Sequence, residues 1–260
     1  MSAFRRYRSL PIAAAVIGIS AALLHAAEVV SSQAIAKAVA AEGRSETDQK
    51  RDTTSKPTQV LEFFGLKPGM TVIDLFGGGG YYTELAALAV GDTGKVYYHT
   101  NHAYLPFVET ELEMRFENDR LDGVVRIVSE TDDMRLPEAE ADLLLMVMCY
   151  HDLYVVDEGW PAIDREHFWR QIYAAIKPGG VLGVVDHIAA TDTGSTAAQT
   201  LHRIDKNFAK TDIESVGFVF EAESDVLRNP EDDHTLIVFN PEIRRKTDRF
   251  VYRFRKPADT

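Results

Sequence analysis

The residues best able to do chemistry follow an apolar run. ADLLLMVM, residues 141–148, breaks at once into Cys149-Tyr150-His151-Asp152. A buried strand that ends abruptly in ionisable groups places them at the edge of a sheet. A second run, Val181–Val185, ends in Asp186-His187. His202 and Asp205 lie three apart, which puts both on one face of an expected helix, with Arg203 pointing elsewhere. If the three segments converge, they bring together three histidines and three carboxylates. One reading makes His151 or His187 a general base, since a histidine beside a carboxylate suits proton transfer near neutral pH. A second is a divalent metal: the His/Asp mix suits a borderline or hard ion, but no tight ligand spacing fixes one, and no residue is assigned to it. The third is a hydrogen-bonded network that closes the top of the domain. Cys149, the single cysteine, has no basic neighbour in sequence and reads as a small buried residue. His167 and His234 read as structural or solvated.

Strands and helices must alternate to position these groups. The pattern predicts helices over 58–64, 81–90, 106–118, 163–176 and 200–216, and strands over 70–76, 95–99, 124–128, 141–148, 181–185, 218–222 and 249–255. Such alternation argues for a parallel sheet covered by helices on both faces. The last two strands have only the polar stretch 225–248 between them, which fits an antiparallel final strand. LRNPEDD and RRKTDR in that stretch read either as charged surface loop or as a lid over the strand ends. In such sheets ligands bind beyond the C-terminal ends of the strands.

That rule draws attention to VIDLFGGGGYYTEL, Val72 to Leu85. The glycines miss the Gly-x-Gly-x-x-Gly spacing, because Tyr82 or Thr83 stands at the last position, and no lysine makes a Walker loop. What remains is a strand, an acid and a glycine turn into a helix, a geometry that lets a nucleoside lie against bare backbone. Four consecutive glycines cost conformational entropy, which disfavours an empty turn. Tyr81 and Tyr82 read either as covering a ligand's face or as packing the helix's first turn.

The chain of 260 residues, 45% hydrophobic, suits one domain plus a leader. Arg5, Arg6 and Arg8 precede an uncharged Ala-rich run, Pro11–Ala27, the pattern of a secretory signal peptide. Residues 1–27 are therefore expected as a signal, with cleavage as late as residue 40. Residues 28–56 are expected as a flexible tail and 57–260 as the working domain. The protein is then periplasmic or otherwise exported, with no stable membrane insertion after cleavage. The overall charge is −12, and the leader through residue 40 holds four basic residues and one acid, so the remainder is about −15. So acidic a domain is not expected to bind nucleic acid.

VIDLFGGGGYYTEL resembles motif I of class I S-adenosylmethionine-dependent methyltransferases, and KPGGVLGVVDH resembles the segment leading into their fifth strand. GGGGYYTEL, CYHDLY, VVDH, LHRID, ESDVLRNP and KTDRF, in this order over residues 58–256, resemble a bacterial family of predicted exported methyltransferases. The resemblance implies a Rossmann-like fold with a mostly parallel seven-stranded sheet. It implies methyl transfer from S-adenosylmethionine to a small-molecule acceptor. Asp74, Gly78, Gly80, Tyr82, Asn101 and Asp133 would hold the cofactor; Tyr150, His151, Asp152, Asp186, His187, His202 and Asp205 would form the acceptor side. The chain departs from the pattern at Phe76, where the motif has glycine, and at YYHTNH, where the family has an acid. These departures keep two alternatives in view: an exported binding or sensing module, and a metal-dependent hydrolase on the same scaffold.

Overall fold

Seven strands form one sheet in the order β3-β2-β1-β4-β5-β7-β6. The computed structural model describes residues 26 and 28–258; the expected signal peptide, residues 1–27, lies outside them but for residue 26. The strands are β1 Thr71–Leu75, β2 Lys95–Thr100, β3 Val124–Val128, β4 Ala141–Val147, β5 Ile176–His187, β6 Val219–Ser224 and β7 Arg249–Arg255. β1 to β5 run parallel, and β7 pairs antiparallel with both β5 and β6. The expected antiparallel final strand is thus found.

Both faces of the central strands are buried, which explains their unbroken apolar runs. Alternate residues serve opposite layers: Leu144 and Met146 of β4 join one core cluster, Leu143 and Leu145 the other. The first cluster includes α6, Arg165–Ala175, and α8, Lys206–Ser215. The second includes α3, Pro57–Phe64, and α4, Tyr81–Val90. Gly183 lets α3 approach β5 closely, since an added Cβ would stand 2.8 Å from the Phe64 ring.

The segment expected as a flexible tail is helical and packed. Residues 28–39 form α1 and Glu46–Ser55 form α2. Ile35 and Ala38 of α1 are in the second core cluster. Arg44 forks onto Asp52 at 2.7 and 2.8 Å, and Tyr81 donates to the same carboxylate at 2.6 Å. Asp48 takes Arg115 of α5, Leu105–Phe116, at 2.7 Å. Charged residues that look like a solvated tail in sequence are here the partners of buried ions. Among the described residues, no helix is long and apolar enough to cross a membrane.

The helix expected over 200–216 is broken. α7 covers Ala198–Leu201, His202 is left-handed, and α8 starts only after Asp205, whose carboxylate caps it through Asn207 N–H at 2.8 Å. The cause is pairing beyond the end of β5: Ile204 N–H donates to His187 O and Ala189 N–H to Ile204 O, both at 2.9 Å. Arg203, expected to face away, is fully buried and forks onto Asp232 at 2.9 and 3.0 Å. Asp232 also accepts Asp248 N–H, and Asp248 accepts Arg228 Nε and Asn229 N–H. The 225–248 connection is therefore a pinned charged network. Breaking one partner of a buried pair leaves the other charge unpaired, at a cost of roughly 3–5 kcal/mol. Arg203→Met should lower unfolding free energy by about that amount in a urea titration; a loss below about 1 kcal/mol would show that the pair does not hold the connection.

Candidate active site at the strand ends

Asp186, one residue before the end of β5, has zero exposure and ties the chain leaving β4 to the end of β5. Its carboxylate accepts His151 N–H at 2.8 Å, His187 N–H at 2.7 Å and the His151 Nδ1 proton at 2.8 Å. His151 opens the 3-10 turn His151–Tyr154, reached from β4 through Met148, whose φ is +56°. With Nδ1 given to Asp186, His151 presents Nε2, which lies 3.2 Å from Asp152 Oδ1 and 3.3 Å from His202 Nδ1. His202 Nδ1 is itself 3.7 Å from Asp152 Oδ1. Three segments distant in sequence thus converge, bringing His151, His187 and His202 together with Asp152 and Asp186 but without Asp205.

The environment divides the histidines. Burial works against charge on His151, but Asp186 and Asp152 outweigh it and raise its pKa to about 10. Burial also opposes ionisation of Asp152, yet His151 holds it below the usual carboxylate range. His187 is pushed well down, first by burial and then by the charges of His151 and Arg249. Its Nδ1 faces Thr247 Oγ1 at 2.7 Å. In these surroundings His151 is a charged donor and not a base at neutral pH, whereas His187 stays neutral.

Aromatic side chains link this cluster to the glycine loop. Phe76 stands where the sequence motif has glycine and keeps a left-handed φ of +48°, a strain of about 1–2 kcal/mol for a residue with a Cβ. Its ring packs on His99, Tyr104, Trp160 and Phe168, with centroids 5.2 to 6.3 Å away. Tyr104 also donates a short hydrogen bond to Asp152, and Trp160 Nε1 donates to Asp152 O at 3.0 Å. Cys149 sits behind, buried, its Sγ 3.6 Å from Leu75 O.

The glycines of the loop do different things; an added Cβ at Gly77 would stand 2.7 Å from the Asp74 carboxylate. Gly79 and Gly80 are overlain by Glu111 and Arg115 of α5, so an added Cβ would collide with them. Gly78, with φ +55°, has no atom within 4 Å of an added Cβ, and Tyr98 fixes it by donating to its carbonyl at 2.7 Å. Asp74 accepts the Thr83 hydroxyl at 2.6 Å; burial pushes its pKa up to about 6, against the pull of that bond. At the end of β2 both ring nitrogens of His99 and the Thr100 hydroxyl are buried and make no hydrogen bond of ordinary geometry. The bare backbone at Gly78 suits the close approach of a flat, polar ligand such as a nucleoside, and His99 and Thr100, both at zero exposure, stand where the sequence motif has its acid. Sequence reading passed over these two; the available signal was polar side chains closing a buried strand.

The remaining expected residues are placed as follows. Asn101 is buried and its Oδ1 accepts Tyr104 N–H at 3.1 Å, so it orders the loop after β2. Tyr82 packs in the second core cluster. Asp133 is exposed and pairs with Arg135. Asp205 caps α8 and accepts Asp192 N–H, outside the histidine cluster. Tyr150 is buried and donates to Asp212 at 2.8 Å, supporting the turn from behind. His167 Nε2 meets Asp132 O, a structural contact as expected, and His234 is held by Asp248. A cavity of about 440 Å³ opens beside the His151–Tyr154 turn, lined by Leu153, Tyr154, Ile163, Arg165 and Phe208 among others.

No family model matches the chain. It is 30% identical over 128 residues to the ubiquinone/menaquinone biosynthesis C-methyltransferase UbiE of an Enterobacter species, 49% of this chain and 46% of that protein. The chain thus spans about half the length of the curated relatives it matches. Its fold matches an S-adenosylmethionine-dependent methyltransferase from Aquifex aeolicus, TM-score 0.56, 19% identity, over 79% of this chain and 98% of that one. It also matches one from Mesorhizobium loti, TM-score 0.54, 15% identity, over 79% and 99%. The architecture is the Rossmann-like class I methyltransferase fold.

Burial lowers the His99 pKa to about 4, outweighing the opposing pull of the Ser129 backbone and the Glu130 charge. The folded protein therefore binds fewer protons than the unfolded chain between about pH 4 and 6.5, so this stability rises with pH across that window and is lost on acidification. Between pH 7 and 4.5 the wild type should lose about 2–3 kcal/mol more than His99→Gln, at about 1.4 kcal/mol per unit. Parallel stability curves in urea titrations would contradict the buried neutral imidazole.

Proposed function

We propose that this chain transfers a methyl group from S-adenosylmethionine to a small acceptor bound at the His151–Asp152–His187 edge of the sheet. The observation that carries the reading is the bridge from Phe76 through Tyr104 to Asp152. It joins the glycine cradle to the acid–histidine cluster in a sheet of the methyltransferase order. The partial similarity to a C-methyltransferase supports the same reaction class.

When bound, the cofactor supplies a methyl group on a sulfonium sulfur, an electrophile that needs only an aligned nucleophile. The chain's part is positioning. Gly78 gives the nucleoside access to the backbone, and His99 and Thr100 offer it polar partners. Asp74 and Tyr98 hold the loop's shape, and Asn101 holds the loop after β2. Phe76, Tyr104 and Trp160 exclude water between the two halves. Asp186 orients His151 and, through its bond to His187 N–H, the start of the turn that presents His187. The acceptor's body would occupy the cavity of about 440 Å³ beside the turn, where Leu153, Tyr154 and Phe208 offer apolar contact and Arg165 a positive end.

Gly78 is the position at which ligand binding and folding separate most cleanly. An added Cβ there meets no protein atom within 4 Å, so the cost to stability is about 1–2 kcal/mol of backbone strain. Isothermal titration should show micromolar binding of S-adenosylhomocysteine to the wild type and at least a tenfold loss in Gly78→Val. No binding to folded wild type, or equal binding to the variant, would overturn the reading.

A further inference from the structure

We propose that His151 Nε2, His202 Nδ1 and Asp152 Oδ1 form a binding site for one divalent first-row transition-metal ion. The three atoms lie 3.2, 3.3 and 3.7 Å apart, and they are the only group of three or more such donors among the described residues that converges so closely. Around a tetrahedral ion with bonds of about 2.0–2.1 Å, donor atoms stand roughly 3.4 Å apart. The spacing of the triad is therefore that of a coordination sphere with the ion removed. Two imidazoles and one carboxylate suit a borderline ion of the zinc, iron or cobalt kind.

The surroundings are those that orient metal ligands. Asp186 accepts the His151 Nδ1 proton at 2.8 Å, which fixes the tautomer that leaves Nε2 free to coordinate. Tyr104 donates to the far side of the Asp152 carboxylate, leaving Oδ1 turned to the histidines. His202 reaches the group from a left-handed backbone, φ +53°, a cost that a freely placed side chain need not bear. His151 is nearly buried, whereas the side chains of His202 and Asp152 keep 24% and 13% of their exposure. The triad thus covers one side of the ion and leaves a position open toward solvent, where water or a donor atom of a substrate can bind. Phe239 packs on the His202 ring at 4.8 Å and stands exposed at that rim. Without an ion the same contacts reduce to a protonated His151 donating to Asp186 and Asp152, with His202 as acceptor.

The binding claim stands on these side chains alone; any use of the ion to place a methyl acceptor rests on the function proposed above. The full chain, produced without a polyhistidine tag, is stripped with chelator and titrated with cobalt(II) and zinc(II). One equivalent of cobalt(II) should bind with the intense visible bands of a four- or five-coordinate site, and zinc(II) should displace it. His202→Ala and Asp152→Asn should each weaken zinc(II) binding roughly 100-fold or more, with His202→Ala unfolding at the wild-type midpoint because its ring is partly exposed. Folded wild type that takes up no stoichiometric metal would overturn the proposal, as would a folded His202→Ala variant that binds zinc(II) as tightly as the wild type. S-adenosylhomocysteine binding is measured in the same stripped and loaded samples, so that a failed metal site and a failed cofactor site give different results.

Discussion

The Asp186 carboxylate is the constraint on which the site depends. It lies at zero exposure between the ends of β4 and β5 and accepts two backbone N–H groups and one imidazole proton. Three donors to one buried carboxylate offset the cost of taking it out of water. They also fix three things at once: where the chain turns after β4, which way the His151 ring faces, and where His187 begins. Replace it with a neutral group and the turn loses its anchor and His151 its orientation. Every contact that His151 makes to Asp152 and His202 follows from that orientation.

Two outer supports keep this edge in place. On the histidine side, the pinned connection from 225 to 248 packs Arg203 under the left-handed His202, so the ring is carried by a buried ion pair. On the glycine side, Arg115 donates to Gly79 O and pairs with Glu84 and Asp48, which ties α2, α4 and α5 to the loop. Between them, Phe76 and Met148 turn the ends of β1 and β4 through left-handed backbone. Strained residues at neighbouring strand ends, held by packing on all sides, are the usual mark of a site whose geometry matters more than its local energy.

Much of the fold was legible in the sequence, because fully buried parallel strands read as unbroken apolar runs and α3 and α4 end in Gly65 and Gly91. β7 was read at its observed limits, and β4 within one residue. The convergence of 149–152 with 186–187 and 202 was also legible, since strands ending in polar residues have one common edge to meet at. Three things were not. The 198–206 stretch has helical spacing, but backbone pairing beyond β5 pulls 202–205 straight, moving Asp205 away and Arg203 inward. The acidic and basic residues of 44–56 look solvated until their partners across the fold are known. His99 and Thr100 carry no motif; only their burial without a hydrogen bond of ordinary geometry marks them.

The account joins the glycine cradle and the acid–histidine edge into one site. A crystal structure of the full chain with S-adenosylhomocysteine tests that claim most directly. The adenosine should lie against Gly78, beside His99 and Thr100, with the sulfur directed past Phe76 and Tyr104 toward Asp152 and His151. A ligand bound elsewhere, or one whose sulfur faces away from His151 and Asp152, would contradict it.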